Sequence, residues 1–429
     1  MSGEITLHTK LNRAIFGSLP TAQKVYLLVH VRPQVGAAAG AESAPAHAPL
    51  NIGFVLDRSG SMAGDKIEAV RSAVKLLVKS MSAQDHAAVI AFDDKADLLA
   101  PNRPLADAAP LLAQIDALVE RGGTTMAKGM RLGLEEIRRG AAPNRISRMI
   151  LLTDGETYGD EEECRKLGRA CGEARIPISA FGLGDEWNAD LLDAIAEYSG
   201  GRSDHLAAPE QVISEFRHTL QAMQGTVATD ASLTLRFANG VTPTAAWRVV
   251  PQISKLDARA LPASDVQRDV QLHLGDLEAL TGQSVLVELV VAPKPEGTFR
   301  IAQAEVRYDL PAAGRTGERV REDVLLTLVE NPAGVAAPDP DLMNLIEKVS
   351  VFKLQTRALS EVEAGNLGVA TQQLRTAATR LLSLGETELA QAAEQEIANL
   401  EQAGRLSAAG TKKLQYGTRK LTQRLEDPA

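Results

Sequence analysis

Residues 50–224 alternate between short apolar runs and amphipathic stretches, and this alternation constrains the fold more than any other feature of the chain. The apolar runs, which predict strands, cover residues 51–56, 87–92, 147–153 and 176–182. Between the first two runs, apolar side chains recur at the spacing of a helix face. Strands that alternate with helices build a mostly parallel sheet covered by helices on both faces. This part of the chain therefore predicts a doubly wound α/β domain.

A period of two replaces the helical period after residue 230. Apolar and polar side chains alternate around Leu233, Leu272, Val287 and Val306, and again near the start of the chain around Leu27. Alternating strands joined by turn-rich segments indicate an antiparallel β-sandwich. Because two short strands cannot bury a core alone, the amino-terminal strands are predicted to join that sandwich. The α/β domain would then be an insertion within it.

The carboxyl-terminal part predicts a helical module, because residues 341–424 contain no proline and carry apolar faces at helical spacing. Gly365, Gly385 and Gly404 mark turns between the helices. Tetratricopeptide-type hairpins are an alternative, but their repeat of about 34 residues is not visible, and a plain bundle is favoured.

The composition of the chain suggests where these domains meet. An Ala- and Gly-rich stretch at 36–49 predicts a flexible linker, and a proline-rich segment follows residue 331. The predicted domains are 1–49 (strands and linker that join the sandwich), 50–225 (α/β), 226–332 (β-sandwich) and 333–429 (helical).

The first predicted strand ends in a pattern with three oxygen-bearing side chains at alternate positions, Asp57, Ser59 and Ser61. Residues two apart in an extended segment point the same way, so these side chains can aim at one point. Hydroxyl and carboxylate oxygens are hard donors that suit Mg²⁺, Mn²⁺ or Ca²⁺ rather than zinc or copper. Since only one of the three is charged, a bound ion would stay electron-poor and attract an outside anion.

Two later segments supply further oxygens. Residues 122–124 (Gly-Gly-Thr) form a glycine turn before a predicted helix, and residues 153–155 (Thr-Asp-Gly) end a predicted strand. Ligands of an open parallel sheet lie at the carboxyl ends of its strands, where Asp57 and Asp154 both fall. The candidate metal ligands are Asp57, Ser59, Ser61, Thr124 and Asp154.

These three segments resemble the metal-ion-dependent adhesion site (MIDAS) of the von Willebrand factor type A (VWA) family. The pattern of that family is DxSxS, then a threonine, then an aspartate in a TDG-like turn, and every position has its match here. The resemblance extends over about residues 50–224 and includes family-like wording at 89–92 (VIAF) and 181–184 (FGLG).

The resemblance implies a division of roles among the five candidates. Ser59, Ser61 and Thr124 would contact the metal, whereas Asp57 and Asp154 would act directly or through waters. The open coordination position is commonly completed by an Asp or Glu of a partner protein. Mg²⁺ is the first choice of metal, with Mn²⁺ or Ca²⁺ as alternatives.

The predicted function is metal-dependent protein–protein interaction rather than catalysis. Metal-assisted hydrolysis is an alternative with Asp154 or Glu156 as general base, but no dedicated acid–base pair accompanies them. A further alternative is an adaptor subunit for an AAA-type ATPase or a signalling enzyme, since some intracellular VWA proteins are similar to chelatase-associated subunits. The chain has no GxxxxGK[ST] loop of its own.

Composition limits the classes of binding partner and indicates a cellular compartment. The formal charge of −9 disfavours nonspecific binding to nucleic acid or anionic lipid. No apolar run is long enough to span a bilayer, and no signal peptide is visible, so we expect a cytoplasmic protein without membrane insertion. Cys164 and Cys171 are too far apart along one predicted helix to form a disulfide, which agrees with a reducing compartment.

Other residues near the predicted site each allow two interpretations. Trp187 borders the metal-bearing face or, as is favoured, packs in the core. Arg58 contacts an anionic ligand or faces solvent. The Asp93-Asp94 pair caps a turn or, less favoured, belongs to a second cation site. A dinucleotide loop at Gly182 is disfavoured because Trp187 stands where the third glycine of GxGxxG belongs.

Overall fold

The computed structural model describes residues 5–34, 48–256, 259–260 and 269–423. The strands in these residues are β1 (Ile5–Leu11), β2 (Ile15–Gly17), β3 (Gln23–Pro33), β4 (Leu50–Asp57), β5 (His86–Phe92), β6 (Ala96–Pro104), β7 (Ile146–Thr153), β8 (Ile178–Leu183), β9 (Arg202–Leu206), β10 (Thr226–Phe237), β11 (Val241–Val250), β12 (Ser254–Leu256), β13 (Arg259–Ala260), β14 (Asp269–Glu278), β15 (Gln283–Val291), β16 (Gly297–Leu310) and β17 (Arg315–Val329). The α-helices are α1 (Asp65–Ser80), α2 (Ala109–Asp116), α3 (Met126–Gly140), α4 (Glu161–Glu173), α5 (Ala189–Ser199), α6 (Glu210–Gln224), α7 (Pro340–Glu363), α8 (Leu367–Ser383), α9 (Thr387–Ala403) and α10 (Ala408–Arg419).

The chain divides into two compact units. The first, which we call the β/helical unit, comprises Met1–Ala37, Asp230–Tyr308 and Gly317–Ala429. The second, the α/β unit, comprises Ala38–Thr229 and Asp309–Thr316. The finer division at residues 49, 225 and 332 stays a prediction.

The sheet of the α/β unit has the strand order β6-β5-β4-β7-β8-β9. Neighbouring strands are parallel except for the β5–β6 pair, which is antiparallel. On β4, Ile52, Phe54 and Leu56 belong to a core cluster with side chains of α1, α2 and α6. The alternate residues Gly53 and Val55 lie against α3, which therefore covers the opposite face. The predicted doubly wound sheet is confirmed.

Glycine allows α3 to lie unusually close to β4. A Cβ on Gly133 of α3 would come within 2.5 Å of Val55 Cγ2, and a Cβ on Gly53 within 2.6 Å of Ile137 Cδ1. Both distances are too short for real atoms, so each element has a glycine where it meets a large side chain of the other. This close packing fixes the position of α3 relative to β4. It also fixes the loop that precedes α3 and carries Thr124.

Two further sheets belong to the β/helical unit, with orders β1-β3-β15-β11-β12 and β13-β14-β10-β16-β17-β2. β3 pairs antiparallel with β1 and along its length with β15, so the amino-terminal strands share a sheet with strands much later in the chain. The short β2 adds parallel to β17. β14 also contacts β3 and β15 of the other sheet. The predicted antiparallel sheets are confirmed.

The carboxyl-terminal helices form a bundle. α7 packs on α8, α8 on α9, and α9 on α10, and α10 returns to contact α7. Apolar side chains of α7 also pack on the first sheet, where Phe352 meets Trp247. Among the residues that the structure describes, none of the helices combines the length and apolar character needed to cross a bilayer. The linker predicted at 36–49 lies almost wholly outside the described residues.

Candidate metal centre

The loop after β4 folds around the side chain of Asp57, which is fully buried. Its Oδ1 accepts a hydrogen bond of 2.8 Å from the backbone N–H of Ser59, and its Oδ2 accepts one of 2.5 Å from Thr153 Oγ1. A short 3₁₀ turn at Gly60–Met62 then leads toward α1. Asp57 thus fixes the serine loop through Ser59 N and links it to the end of β7 through Thr153.

Three of the predicted ligands join in a chain of oxygen contacts. Ser59 Oγ lies 3.0 Å from Ser61 Oγ, and Ser61 Oγ donates to Asp154 Oδ1 at 2.7 Å. Thr124 Oγ1 is close by, because it and Ser61 Oγ both lie within 4 Å of where a Cβ on Gly155 would stand. Ser59 and Asp154 are buried and Ser61 is exposed, so the group opens to solvent on the side of Ser61.

The spacing of these oxygens suits a small, hard cation. An octahedral Mg²⁺ with bonds of about 2.1 Å holds neighbouring ligand oxygens about 3.0 Å apart. The contacts at Ser59, Ser61 and Asp154 are close to this value. In the described part of the chain, no group of three or more His, Cys, Asp or Glu side chains is arranged to hold a metal. A cation at this position would be bound chiefly by hydroxyl oxygens.

Burial shapes the electrostatics of the site. Loss of solvent raises the pKa of Asp57 from 3.8 to about 6, and the hydrogen bonds from Thr153 and Ser59 only partly oppose this effect. A smaller contribution of the same sign comes from the charge of Asp154. A nearby cation would favour the ionised form of Asp57.

Lys66, in the first turn of α1, was not predicted to belong to the site. Its Nζ is 2.5 Å from Asp154 Oδ2 and forms an ion pair with it. Both carboxylate oxygens of Asp154 therefore have partners, one from Ser61 and one from Lys66. The available signal was a lysine in the first turn of the helix that follows the serine motif.

Arg58 contradicts both interpretations from the sequence, since it neither faces solvent nor is free to bind an anionic ligand. It is 5% exposed, and its Nε donates to Asp93 Oδ2 at 2.7 Å while its Nη2 donates to Asp97 Oδ2. Asp93 also caps the turn after β5 by accepting from Lys95 N at 2.9 Å, which confirms its predicted role. A buried guanidinium without an ion pair would be strongly destabilising. The two aspartates are therefore needed to compensate the charge of Arg58.

The Gly-Gly-Thr turn is fixed against the serine loop. Gly122 has φ of +72°, a conformation that glycine adopts at little cost. Its carbonyl accepts a hydrogen bond of 3.1 Å from Gly60 N. A Cβ on Gly123 would come within 2.6 Å of Asp94 Oδ1. The two glycines therefore let Thr124 approach the serine hydroxyls.

The loop after Asp154 satisfies the first turn of α3. Thr157 Oγ1 accepts from Met126 N at 3.2 Å, and Asp160 Oδ2 accepts from Ala127 N at 2.8 Å. Thr157 Oγ1 also donates to Asp160 Oδ1. These side chains occupy the amino end of α3 and hold the loop of Asp154 beside that of Thr124. The sequence did not single out either residue for this role.

Other predicted candidates lie apart from this group. Trp187 is buried and lies against Gly182, where any Cβ would overlap its ring, so it packs in the core. Cys164 and Cys171 are free and buried, and burial raises the pKa of both thiols. Neither thiol is suited to act as a nucleophile at neutral pH.

A parallel sheet with a serine-rich loop at its carboxyl edge is the architecture of a VWA domain, a module that commonly mediates protein–protein interactions. The profile of the von Willebrand factor type A domain matches residues 51–216. Residues 340–424 match a second profile, described as the Sll0103-like, C-terminal alpha-helical domain. The chain belongs to the VWA family and, within it, to proteins that resemble sll0103.

The chain is similar to two bacterial proteins in sequence and to one solved structure in fold. The chain is 30% identical over 348 residues to Uncharacterized protein sll0103 of Synechocystis sp., covering 80% of this chain and 81% of that protein. It is 25% identical over 316 residues to YfbK of Escherichia coli, but spans only 52% of its length. The structure of a von Willebrand factor type A protein from Catenulispora acidiphila matches with a TM-score of 0.75 at 17% identity, covering 97% and 96% of the two chains, and this shows the shared fold.

Proposed function

We propose that Asp57, Ser59, Ser61, Thr124 and Asp154 form one MIDAS-type site for a divalent cation. The observation that carries the proposal is the convergence of the Ser59, Ser61 and Asp154 oxygens at distances of 3.0 and 2.7 Å. Mg²⁺ is the first choice because it prefers oxygen ligands and retains waters. Mn²⁺ and Ca²⁺ share the preference for oxygen.

In this proposal the hydroxyl groups bind the metal and the carboxylates tune it. Ser59, Ser61 and Thr124 are neutral ligands, so they leave the cation strongly electron-poor. Asp57 is held by Ser59 N and Thr153 and orients the loop from behind, as groups outside the inner shell of a metal do. The open position on the exposed side of Ser61 takes an Asp or Glu of a partner protein.

We infer binding rather than catalysis from the state of the carboxylates. A general base needs a free oxygen near the water that it activates. Both oxygens of Asp154 are engaged by Ser61 and Lys66, and those of Asp57 by Ser59 and Thr153. Glu156 is exposed. These features favour capture of a carboxylate over hydrolysis.

A single hydroxyl tests the metal site. Ser61→Ala removes one proposed ligand without removing a buried charge, and we expect it to weaken Mg²⁺ binding at least about tenfold, as metal-site variants typically do. Isothermal calorimetry with MgCl₂ on both proteins measures the difference. Ser214→Ala on α6 is the matched control, because Ser214 is an exposed helical serine that bonds only within its own helix. Equal Mg²⁺ affinities in the Ser61→Ala and Ser214→Ala proteins would reject the site.

Partner capture is tested by the metal dependence of retention. The immobilised chain is exposed to native extract in Mg²⁺ and in EDTA, and proteins retained only with Mg²⁺ are identified. Thr124→Ala is expected to lose these proteins at Mg²⁺ concentrations that still saturate the variant, because Thr124 shapes the open position. Retention that persists in EDTA, or metal-dependent turnover of an ester or peptide that Asp154→Asn abolishes, would contradict carboxylate capture.

We also propose that the protein works in the cytoplasm. The support is that Cys164 and Cys171 are free and buried on one face of α4, an arrangement suited to a reducing compartment. Cell fractionation of the tagged chain checks this location.

A further inference from the structure

We propose that an ionic cluster of Arg58, Asp93, Asp97 and Arg121 sets the distance between the two loops that carry the metal-binding hydroxyls. We call it the arginine–aspartate cluster. None of its members is a proposed metal ligand, so they are positioning residues. The inference rests on the proposed metal site and adds to it a determinant of metal selectivity.

The cluster is a closed arrangement of two guanidinium groups and two carboxylates. Asp93 Oδ2 accepts from Arg58 Nε at 2.7 Å and from Arg121 Nε at 2.8 Å. Asp97 Oδ2 accepts from the Nη2 atoms of the same two arginines. Each arginine therefore bridges both aspartates, and each aspartate bridges both arginines. Such an arrangement fixes the relative position of the two arginine side chains.

Those arginines lie at informative places in the sequence. Arg58 stands between Asp57 and Ser59, inside the serine loop, and Arg121 immediately precedes the Gly-Gly-Thr turn. Their backbones are joined as well, because Arg121 N donates to Arg58 O at 2.7 Å. The loop of Asp93 is drawn into the same unit, since Thr125 N donates to Asp93 O at 2.8 Å.

The cluster is sheltered on one side and exposed on the other. The side chains of Arg58 and Asp93 are 6% and 5% exposed, whereas that of Arg121 is 53% exposed. The buried pair is little screened by solvent and holds the serine loop firmly. Because Arg121 binds the same two aspartates, it links the loop of Thr124 to this buried pair. A change at Arg121 therefore alters the spacing of the loops with little disturbance of the core.

Metals differ in how strictly they depend on such spacing. Mg²⁺ requires near-ideal octahedral geometry at about 2.0–2.1 Å, whereas Ca²⁺ accepts flexible geometry at about 2.3–2.6 Å. If the cluster holds the Ser59 and Thr124 loops at the Mg²⁺ distance, loosening it will harm Mg²⁺ binding more than Ca²⁺ binding. A role limited to the stability of the fold would not change the ratio of the two affinities.

The test uses Arg121→Lys in the full chain, since this position is exposed and the charge is kept. Lysine is a point charge that cannot bridge two carboxylates as the guanidinium does. We expect Mg²⁺ affinity, measured by calorimetry, to fall about tenfold and Ca²⁺ affinity to fall by less than about threefold. Arg131→Lys is the matched control, because Arg131 is 58% exposed and pairs with a single carboxylate, Glu163.

A second variant, Asp93→Asn, removes the shared carboxylate charge and is expected to shift the Mg²⁺/Ca²⁺ affinity ratio in the same direction. An unchanged ratio in Arg121→Lys, with Mg²⁺ binding intact in the wild type, would overturn the positioning role and leave the proposed site standing. Absence of Mg²⁺ binding in the wild type would instead overturn the proposed function itself.

Discussion

Phe352→Ala is expected to lower the free energy of unfolding of the β/helical unit by about 3–5 kcal/mol, the usual cost of removing a large buried aromatic side chain. Phe352 is 7% exposed on α7, and its ring meets that of Trp247 on β11 edge-on, with centroids 6.1 Å apart. Leu286 and Leu345 belong to the same cluster. The substitution leaves a cavity between the helical bundle and the first sheet of this unit.

Polar contacts surround the same interface. Trp247 Nε1 donates to Glu288 Oε1 at 3.2 Å, and Lys353 Nζ lies 2.7 Å from that oxygen and 5.3 Å from the Trp247 ring centroid. Lys24 pairs with the other oxygen of Glu288 at 2.9 Å. Loss of Phe352 loosens the surroundings of these groups. For this reason we expect the loss in the free energy of unfolding to lie nearer about 5 than about 3 kcal/mol.

The chain has only two tryptophans, which makes the measurement specific. In a Trp187→Phe background, the fluorescence of Trp247 alone reports urea unfolding of the β/helical unit. Leu382→Ala is the control, because Leu382 is 51% exposed on the same bundle and its truncation should cost less than about 0.5 kcal/mol. Equal shifts of the urea midpoint in the Phe352→Ala and Leu382→Ala proteins would show that α7 does not depend on this contact.

The strands that the sequence predicted are those with continuous or regularly alternating apolar residues. β4, β5, β7 and β8 are buried on both faces and were visible as apolar runs. The edge strands β6 and β9 were not recognised, because an edge position needs less apolar surface and Arg202–Leu206 contains a single leucine. β11 was missed for another reason. Register shifts near Pro243 and Arg248 interrupt its alternation.

The candidate site was predictable where its chemistry is local. Ser59 Oγ and Ser61 Oγ lie 3.0 Å apart, although Ser61 belongs to a 3₁₀ turn and not to the extended segment that the alternate spacing predicted. The role of Arg58 was not predictable, because its partners Asp93 and Asp97 lie 35 and 39 residues away. An isolated arginine in a loop is usually solvated. Only the fold shows that this one is buried and paired.

The surface on which the helical module packs could also not be predicted from the sequence. Its apolar faces were predicted correctly, with Leu342, Leu345 and Val349 buried on α7. Helical spacing shows that a face is covered but not by which surface. Trp247 and Glu288, which meet α7, belong to strands about 100 and 65 residues earlier in the chain.

Asp57→Asn is expected to raise the free energy of unfolding in EDTA at pH 8 by up to about 3 kcal/mol. Burial raises the pKa of Asp57 from 3.8 to about 6, so the folded state prefers the protonated carboxyl. This contribution to stability is fully present below pH 3.8 and is lost as pH rises through about 6. Because one pKa unit corresponds to about 1.4 kcal/mol, the ionised carboxylate costs about 3 kcal/mol at pH 8.

The introduced amide can satisfy the same neighbours. Its oxygen can accept from Ser59 N as the carboxylate does. Its N–H group can donate to Thr153 Oγ1, which lies 3.2 Å from the carbonyl of Gly155 and can direct its own proton there. The amide oxygen, one amide N–H and Thr153 Oγ1 therefore keep partners, and removal of the charge is the main change.

Urea unfolding of wild type and Asp57→Asn at pH 5 and pH 8 measures this effect, and comparison at each pH cancels the other titrating groups. The gain of the variant should fall to roughly half at pH 5, where the wild-type carboxyl is mostly protonated in the folded state. Added Mg²⁺ should stabilise the wild type at pH 8 and leave the stability of the variant unchanged. The reason is that the ionised Asp57 carboxylate, which destabilises the fold in EDTA, stabilises the bound Mg²⁺. A variant less stable than wild type at pH 8 in EDTA would contradict the raised pKa, whereas equal stabilisation of both proteins by Mg²⁺ would contradict the role of Asp57 in the metal site.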